Sequence, residues 1–349
     1  MKFNIWGSSY SLASKSKGRD NNLGLIKMVA AFAVIYSHCF ALCLGPDAAS
    51  YLSVFTAGHL SPGGIAVGLF FLFGGFYIAK SCESHPKAGD FFSLRLIRIL
   101  PPLVLVVVLC VFIVGPCFTS IPVLDYFRES GTYAYLLNAV MILQHPLPGV
   151  FESNPYSSVI NGPLWTLPVE FVCYILCYIF FRITRFDKKR AFVLSLPCAM
   201  AIVCWFVFAG DYQLSVVRAV VLFYIGVLLW IYREKIVIND VLGIASFVLF
   251  GILVAFKADL LAMLFPFVYA MLWLTYTDRL LPISRALSKY EVSYGVYLWG
   301  WPVQQMLISL WPAPMPPLEN AVIASVIALC LGYPTEKGAN AIAKKLFKK

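Results

Sequence analysis

The chain has 349 residues, of which 60% are hydrophobic and 13% charged, with a mean hydropathy of +0.81, where ordinary soluble domains are about 45–50% apolar and about 25% charged. A soluble globular protein is therefore excluded, and the composition describes a polytopic membrane protein. The formal charge of +10 would suggest a nucleic-acid partner in a soluble protein; in a membrane chain, where the basic residues fall relative to the spans decides its meaning.

In chain order, residues 1–20 form a short polar lead-in. No basic, apolar and small-residue cleavage pattern precedes the first long apolar run, so no removable signal peptide is expected. Apolar runs long enough for about 20 residues of helix fall near 25–44, 62–80, 99–117, 163–181, 191–209, 213–232, 238–256, 260–277, 291–311 and 318–334. With the N-terminus cytoplasmic, every Lys and Arg except Arg128, Arg218 and Lys257 falls on the inner side, as the positive-inside rule requires. The expectation is an all-α membrane protein of about ten transmembrane helices with both termini cytoplasmic. The basic balance is then topological, and no nucleic acid is implied. The ten cysteines lie in or beside apolar spans, Cys82 excepted, and read as small packing residues rather than metal or redox groups.

The first span, NNLGLIKMVAAFAVIYSHCFALCLG, carries His38 near its far end. An ionisable side chain at membrane depth needs a partner or a purpose. The second span is rich in glycine, and Gly64 and Gly68 form a small-xxx-small pair suited to close helix approach. The following cytoplasmic segment ends in FFSLRLIRILPP, which sets Arg95 and Arg98 one turn apart before Pro101 and Pro102. Two readings stay open for these arginines: positive-inside anchors, or a clamp on the phosphates of a nucleotide-bearing donor.

The segment 119–162 breaks the pattern. Were TYAYLLNAVMILQH a full span, the basic stretch Arg182–Arg190 would lie outside, so a re-entrant or interfacial helix near 133–145 is expected, in an outer elaboration that could face substrate. NGPLWTLPVEFVCYILCYIF then starts a helix at Asn161, Gly162 and Pro163, with Glu170 two turns inside. Arg218, in the sixth span, reads as a snorkelling side chain. The ninth span, EVSYGVYLWGWPVQQMLISLW, holds Pro302, Gln304 and Gln305.

At about 1.5 Å per residue, His38, Glu170 and Gln304 all fall roughly 10 Å below the outer surface. Lys27 precedes His38 by eleven residues, which places the two within roughly 20° on one helix face and about 16 Å apart. One face of the first span would thus carry a cation near the cytoplasm and an imidazole in the outer half. An imidazole with a carboxylate neighbour suits general-base chemistry; a packed histidine with a neutral partner is the plainer alternative.

Together these stretches resemble the acyltransferase-3 family of integral membrane acyltransferases. Lys27 and His38 match its basic-residue-then-histidine signature, GLFFLFGGFYI its second helix, and FSLRLIRILPP its R-x-x-R-I-x-P segment. NGPLWTLPVEF matches its PLW-x-L-x-x-E element, placing Trp165 and Glu170, and VSYGVYLWGWPVQQ its late SYG-x-Y-L segment, in a likeness covering about residues 20–335. The resemblance implies one membrane domain over 21–335, with a basic cytoplasmic tail at 336–349. It also implies transfer of an acyl group, commonly acetyl, from cytoplasmic acyl-CoA to a hydroxyl of a surface polysaccharide, lipopolysaccharide or other cell-envelope glycan, in the inner membrane of a bacterium. On that reading His38 and Glu170 are catalytic, and Lys27, Arg95 and Arg98 bind the donor. Trp165, Asn161, Tyr297 and Gln304 line the pore, acyl-CoA is a co-substrate, and neither a metal nor a permanently bound cofactor is expected; the partners are the donor, a glycan or lipid-linked saccharide, and membrane lipid. Two departures stand out: Gly300 occupies the place where many members have a second histidine, and Gly24 replaces a commonly acidic residue. The rival class is a glycan or small-solute transporter or flippase, although the paired interrupted helices of many transporters are absent from the sequence.

Overall fold

The computed structural model describes residues 9–18, 20–195 and 211–346; most of the expected fifth span, 191–209, lies outside them. Within a bilayer each segment must satisfy its own backbone polar groups, and the described residues are accordingly mostly helical, with 141–161 the longest non-helical stretch among them. The main helices are α1 (Leu23–Leu44), α2 (Pro62–Ser84), α3 (Ala88–Phe118), α4 (Thr166–Thr184), α5 (Asp211–Ile231), α6 (Asp240–Ala255), α7 (Pro266–Tyr276), α8 (Ser293–Leu310) and α9 (Pro317–Leu346). Among the described residues, six segments are long and apolar enough to cross a membrane, and α5 and α6 supply shorter apolar helices.

Several boundaries differ from the sequence reading: the last helix runs on to Leu346 through most of the expected tail, and two further differences bear on the candidate site. Helix α3 begins at Ala88, so FFSLRLIRILPP is already helical and Arg95 and Arg98 sit on the helix rather than at its mouth. The expected helix at 133–145 is instead a turn of α-helix, Ser130–Ala134, followed by a 3-10 segment, Tyr135–Val140. It stops because Met141 adopts φ +63° and Asn138 captures the chain, donating to the carbonyls of Tyr135 and Gln144 at 2.9 Å and accepting from the Gln144 N–H at 3.0 Å. Pro146 and Pro148 then oppose further helix.

The chain divides into two compact units. One holds the described residues up to Lys27, with Gly64–Ala88 and Val169–Glu291; the other holds Met28–Gly63, Gly89–Pro168 and the described residues from Val292 onward. In the first unit α2 and α5 meet backbone to backbone. A Cβ at Gly75 would lie 1.8 Å from the Phe223 carbonyl oxygen, and one at Gly226 2.0 Å from that of Leu72. Gly68 faces the side chains of Leu222 and Met263, so the closest approach falls one to two turns beyond the glycine pair the sequence singles out. The described part of the polar lead-in is tied down here: strand β1 (Ser9–Ser11) pairs antiparallel with β2 (Val237–Asn239), and Lys15 bridges to Asp278 at 2.5 Å. Arg218 has a charged neighbour rather than only a route to the interface, since the buried Asp259 acts on it electrostatically.

In the second unit α8 packs on α9 through Gly295 and Gly332, where a Cβ on Gly295 would stand 2.3 Å from the Gly332 oxygen. Glu336 of α9 accepts the Gly295 N–H at 2.9 Å, placing a carboxylate on the exposed donors of the first turn of α8.

Candidate active site

Helix α1 is continuous from Leu23 to Leu44, so the eleven-residue spacing keeps Lys27 and His38 on one helix face. In the second unit the His38 ring meets the edge of Trp301, with centroids 4.9 Å apart and planes at 69°. Trp301 is held from two sides: its Nε1 donates to the Val159 carbonyl at 2.9 Å, and Tyr156 lies T-shaped against it at 5.3 Å. Gly162 has no side chain because a Cβ there would come within 2.9 Å of the indole. Trp301 thus occupies the place of a second ring beside His38.

Gly300, one residue earlier, explains why no histidine stands at that position. A Cβ there would lie 2.8 Å from Cγ1 and 3.2 Å from Cδ1 of Ile35. The glycine lets α8 close on α1 one turn before His38.

The segment 154–161 is stapled along α8. Asn154 donates to the Gln305 side-chain oxygen at 2.8 Å, Gln305 donates to the Tyr156 carbonyl at 2.7 Å, and Ser309 donates to the Asn154 oxygen at 3.0 Å. Asn161 donates to the Leu298 carbonyl at 2.9 Å. The Tyr297 hydroxyl donates to the Pro163 carbonyl at 2.8 Å and stands 2.8 Å from the Thr166 hydroxyl. Trp165 closes the 3-10 turn Gly162–Trp165 at this joint and is partly exposed.

Gln304 is fully buried. Its Nε2 donates to the Ile35 carbonyl at 3.0 Å and to Asn320 Oδ1 at 2.8 Å, tying α8 to α1 and α9. The side-chain oxygens of Asn161 and Gln304 are buried and accept no hydrogen bond from the described residues, an uncommon and costly state for an amide oxygen.

Glu170 belongs to the first unit. Tyr174, one turn further along α4, donates to its Oε1, and the carboxylate lies against the glycine face of α2, 3.7 Å from where a Cβ of Gly74 would be. Also in this unit, the space beside Gly24 is filled by the Glu291 carboxylate, one turn from Lys27. On α3, in the second unit, Arg95 lies over the Phe91 ring at 5.4 Å and Arg98 is exposed. Arg98 and Lys337 are the charged neighbours of Glu336. Tyr294 joins this end of α8 to α3 by donating to the Ile99 carbonyl at 3.1 Å.

The structure therefore places His38 in the same unit as Asn161, Trp165, Tyr297 and Gln304, with Trp301 as its direct ring neighbour, while Lys27 and Glu170 belong to the other unit. Trp301, Tyr156, Glu291 and Glu336 escape the sequence reading. Of these, Glu336 alone carries a signal of its own there, an acid in an otherwise basic tail.

Comparison with known proteins agrees with the family resemblance read from the sequence. The model of an acyltransferase-domain family, acyltransferase-3, matches residues 20–336. The chain is 27% identical over 306 residues to an O-acetyl transferase of Shigella phage Sf6, covering 83% of this chain and 86% of that one. It is 28% identical over 207 residues to nodulation protein 10 of Rhizobium leguminosarum bv. viciae, covering 57% and 54% respectively. No solved structure matches. With its apolar helices and a family match over nearly the whole length, the chain belongs to the acyltransferase-3 family and is a multi-pass membrane enzyme of the O-acetyltransferase type.

Proposed function

We propose that the enzyme moves an acetyl group from cytoplasmic acyl-CoA to a hydroxyl of a cell-envelope glycan, as a ten-helix protein of a bacterial inner membrane with both termini cytoplasmic. The observation that carries this reading is the unbroken α1, which bears Lys27 and, eleven residues on, His38 against Trp301. His38 accepts the proton of the acceptor hydroxyl as its oxygen attacks the thioester carbonyl. The C–S bond breaks, and the leaving thiolate takes the proton back from the imidazolium, so the histidine is restored.

Arg95 and Arg98 neutralise the donor phosphates, for which planar guanidinium groups are suited, and Lys27 adds a point charge on the His38 face. The unpaired amide oxygens of Asn161 and Gln304 support a polar acceptor, since each can take a hydrogen bond from a substrate hydroxyl; Trp165 and Tyr297 are assigned to the same lining. Glu170 is assigned as the acidic member of the machinery, and Glu170→Gln is expected to lower turnover.

The test is equilibrium binding of acetyl-CoA to the purified protein in lipid nanodiscs. Binding by the intact protein, lost in the Arg95→Ala/Arg98→Ala double variant, is expected. No measurable binding by the intact protein would overturn acyl-CoA as the donor.

A further inference from the structure

Glu291 ends the 3-10 turn Ser288–Tyr290 that precedes α8 in the chain. A Cβ built on Gly24 would lie 1.8 Å from its carboxyl carbon and 1.9 and 2.1 Å from the two oxygens. These are shorter than any contact: the carboxylate occupies the volume that a side chain at position 24 would need. Glycine weakens a helix relative to alanine, and its presence in the first turn of α1 is accounted for by this occupant.

The location has electrostatic consequences. Gly24 is the second residue of α1, where backbone N–H groups lack helix partners and the dipole favours negative charge. Lys27 follows at i+3, and side chains so spaced share a face with Cβ atoms about 5–6 Å apart. The four-carbon stem of a lysine spans that gap, so the carboxylate and the Lys27 ammonium lie within reach of each other. Gly24, Lys27 and Glu291 belong to the same compact unit.

We propose that Glu291 is a positioning residue for the donor: its carboxylate, seated in place of a side chain at position 24, holds the first turn of α1 and sets the Lys27 ammonium on the face along which acyl-CoA runs. This rests on the reading of Lys27 as a donor contact. Glu291 itself touches no reacting atom. It acts through Lys27.

The experiment is acetyl-CoA affinity, measured by calorimetry on the purified full-length protein in nanodiscs, for the parent and five variants. Lys27→Ala is expected to weaken binding. Glu291→Gln and Glu291→Ala are each expected to weaken it roughly fivefold, the upper end for a partly exposed charge pair. Adding Gly24→Asp to Glu291→Ala returns a carboxylate to the same place from the other side, and should bring affinity back within about twofold of the parent, as coupled neighbours do. Adding Gly24→Asn instead fills the space without charge and should not restore it. Parent-like affinity of Glu291→Gln alongside a weakened Lys27→Ala would overturn the proposal, as would equal rescue by Asp and Asn, which would reduce Glu291 to a space-filler. Parent-like affinity of Lys27→Ala would remove the donor reading of Lys27 itself, a separate failure that takes this proposal with it.

Discussion

Restoring a side chain at position 300 should damage the enzyme rather than improve it. The ideal Cβ at Gly300 falls 2.8 Å from Ile35 Cγ1 and 3.2 Å from Cδ1, where ordinary carbon–carbon contact is about 3.5–4.0 Å. The first of these atoms can withdraw only by a change of χ1, which a β-branched side chain in a helix resists. Overpacking of this kind costs about 1–3 kcal/mol for Gly300→Ala, and a histidine ring would add to it. The strain falls one turn before His38, on the residue whose carbonyl accepts from Gln304, so acetyl transfer should drop together with stability. The assay pairs thermal unfolding in detergent with transfer from labelled acetyl-CoA in membranes, for Gly300→Ala and Gly300→His in the parent and in an Ile35→Ala background. The added methyl should cost less than half as much when Ile35 is already truncated, because the atoms it meets are gone. A Gly300→His enzyme with parental stability and undiminished transfer would refute the packing of α8 on α1 described above.

Gln304→Leu removes two donated hydrogen bonds and leaves Asn320 Oδ1 buried without that donor, which should cost about 1–3 kcal/mol, read as a lower unfolding midpoint; an unchanged midpoint would show that the amide is not the tie between α1, α8 and α9. Before α1, the Arg285 guanidinium hydrogen-bonded to Asp20 holds its carboxyl below the usual carboxylate range. The folded-state value lies below the unfolded one, so the pair contributes stability that is present above the unfolded pKa, about 3.9, and is lost as pH falls through the folded value. Asp20→Asn should therefore unfold more readily than the parent at neutral pH and low salt, with the difference closing in acid. A difference that does not vary with pH would contradict this account.

What the sequence reveals here is what repeats along one chain segment. Hydropathy locates α1 and α2 closely, and helical periodicity alone puts Lys27 and His38 on one face, because both lie on a single uninterrupted helix. The start of α3 at Ala88 was hidden because polar residues and Gly89 precede the apolar run, although no proline in GDFFSLRLIR breaks a helix. The end of the short helix at Val140 depends on Asn138 taking over the backbone, a local competition that apolar periodicity does not register. The partners of the key residues were illegible for a different reason. Trp301 beside His38, Glu291 inside Gly24 and Ile35 against Gly300 are meetings between distant stretches, and each is marked in the sequence only by a glycine whose neighbour cannot be named. Gly24 and Gly300 read as losses in one dimension; in the fold each is the space that another side chain fills.

The central claim is that His38 is the base that activates the acceptor hydroxyl. It is tested most directly by acetylation of the surface glycan, measured by mass spectrometry in cells producing His38→Ala at the parental level in the membrane. The account predicts that acetylation falls to the level of cells lacking the protein while acetyl-CoA binding persists; acetylation retained at the parental level would contradict it.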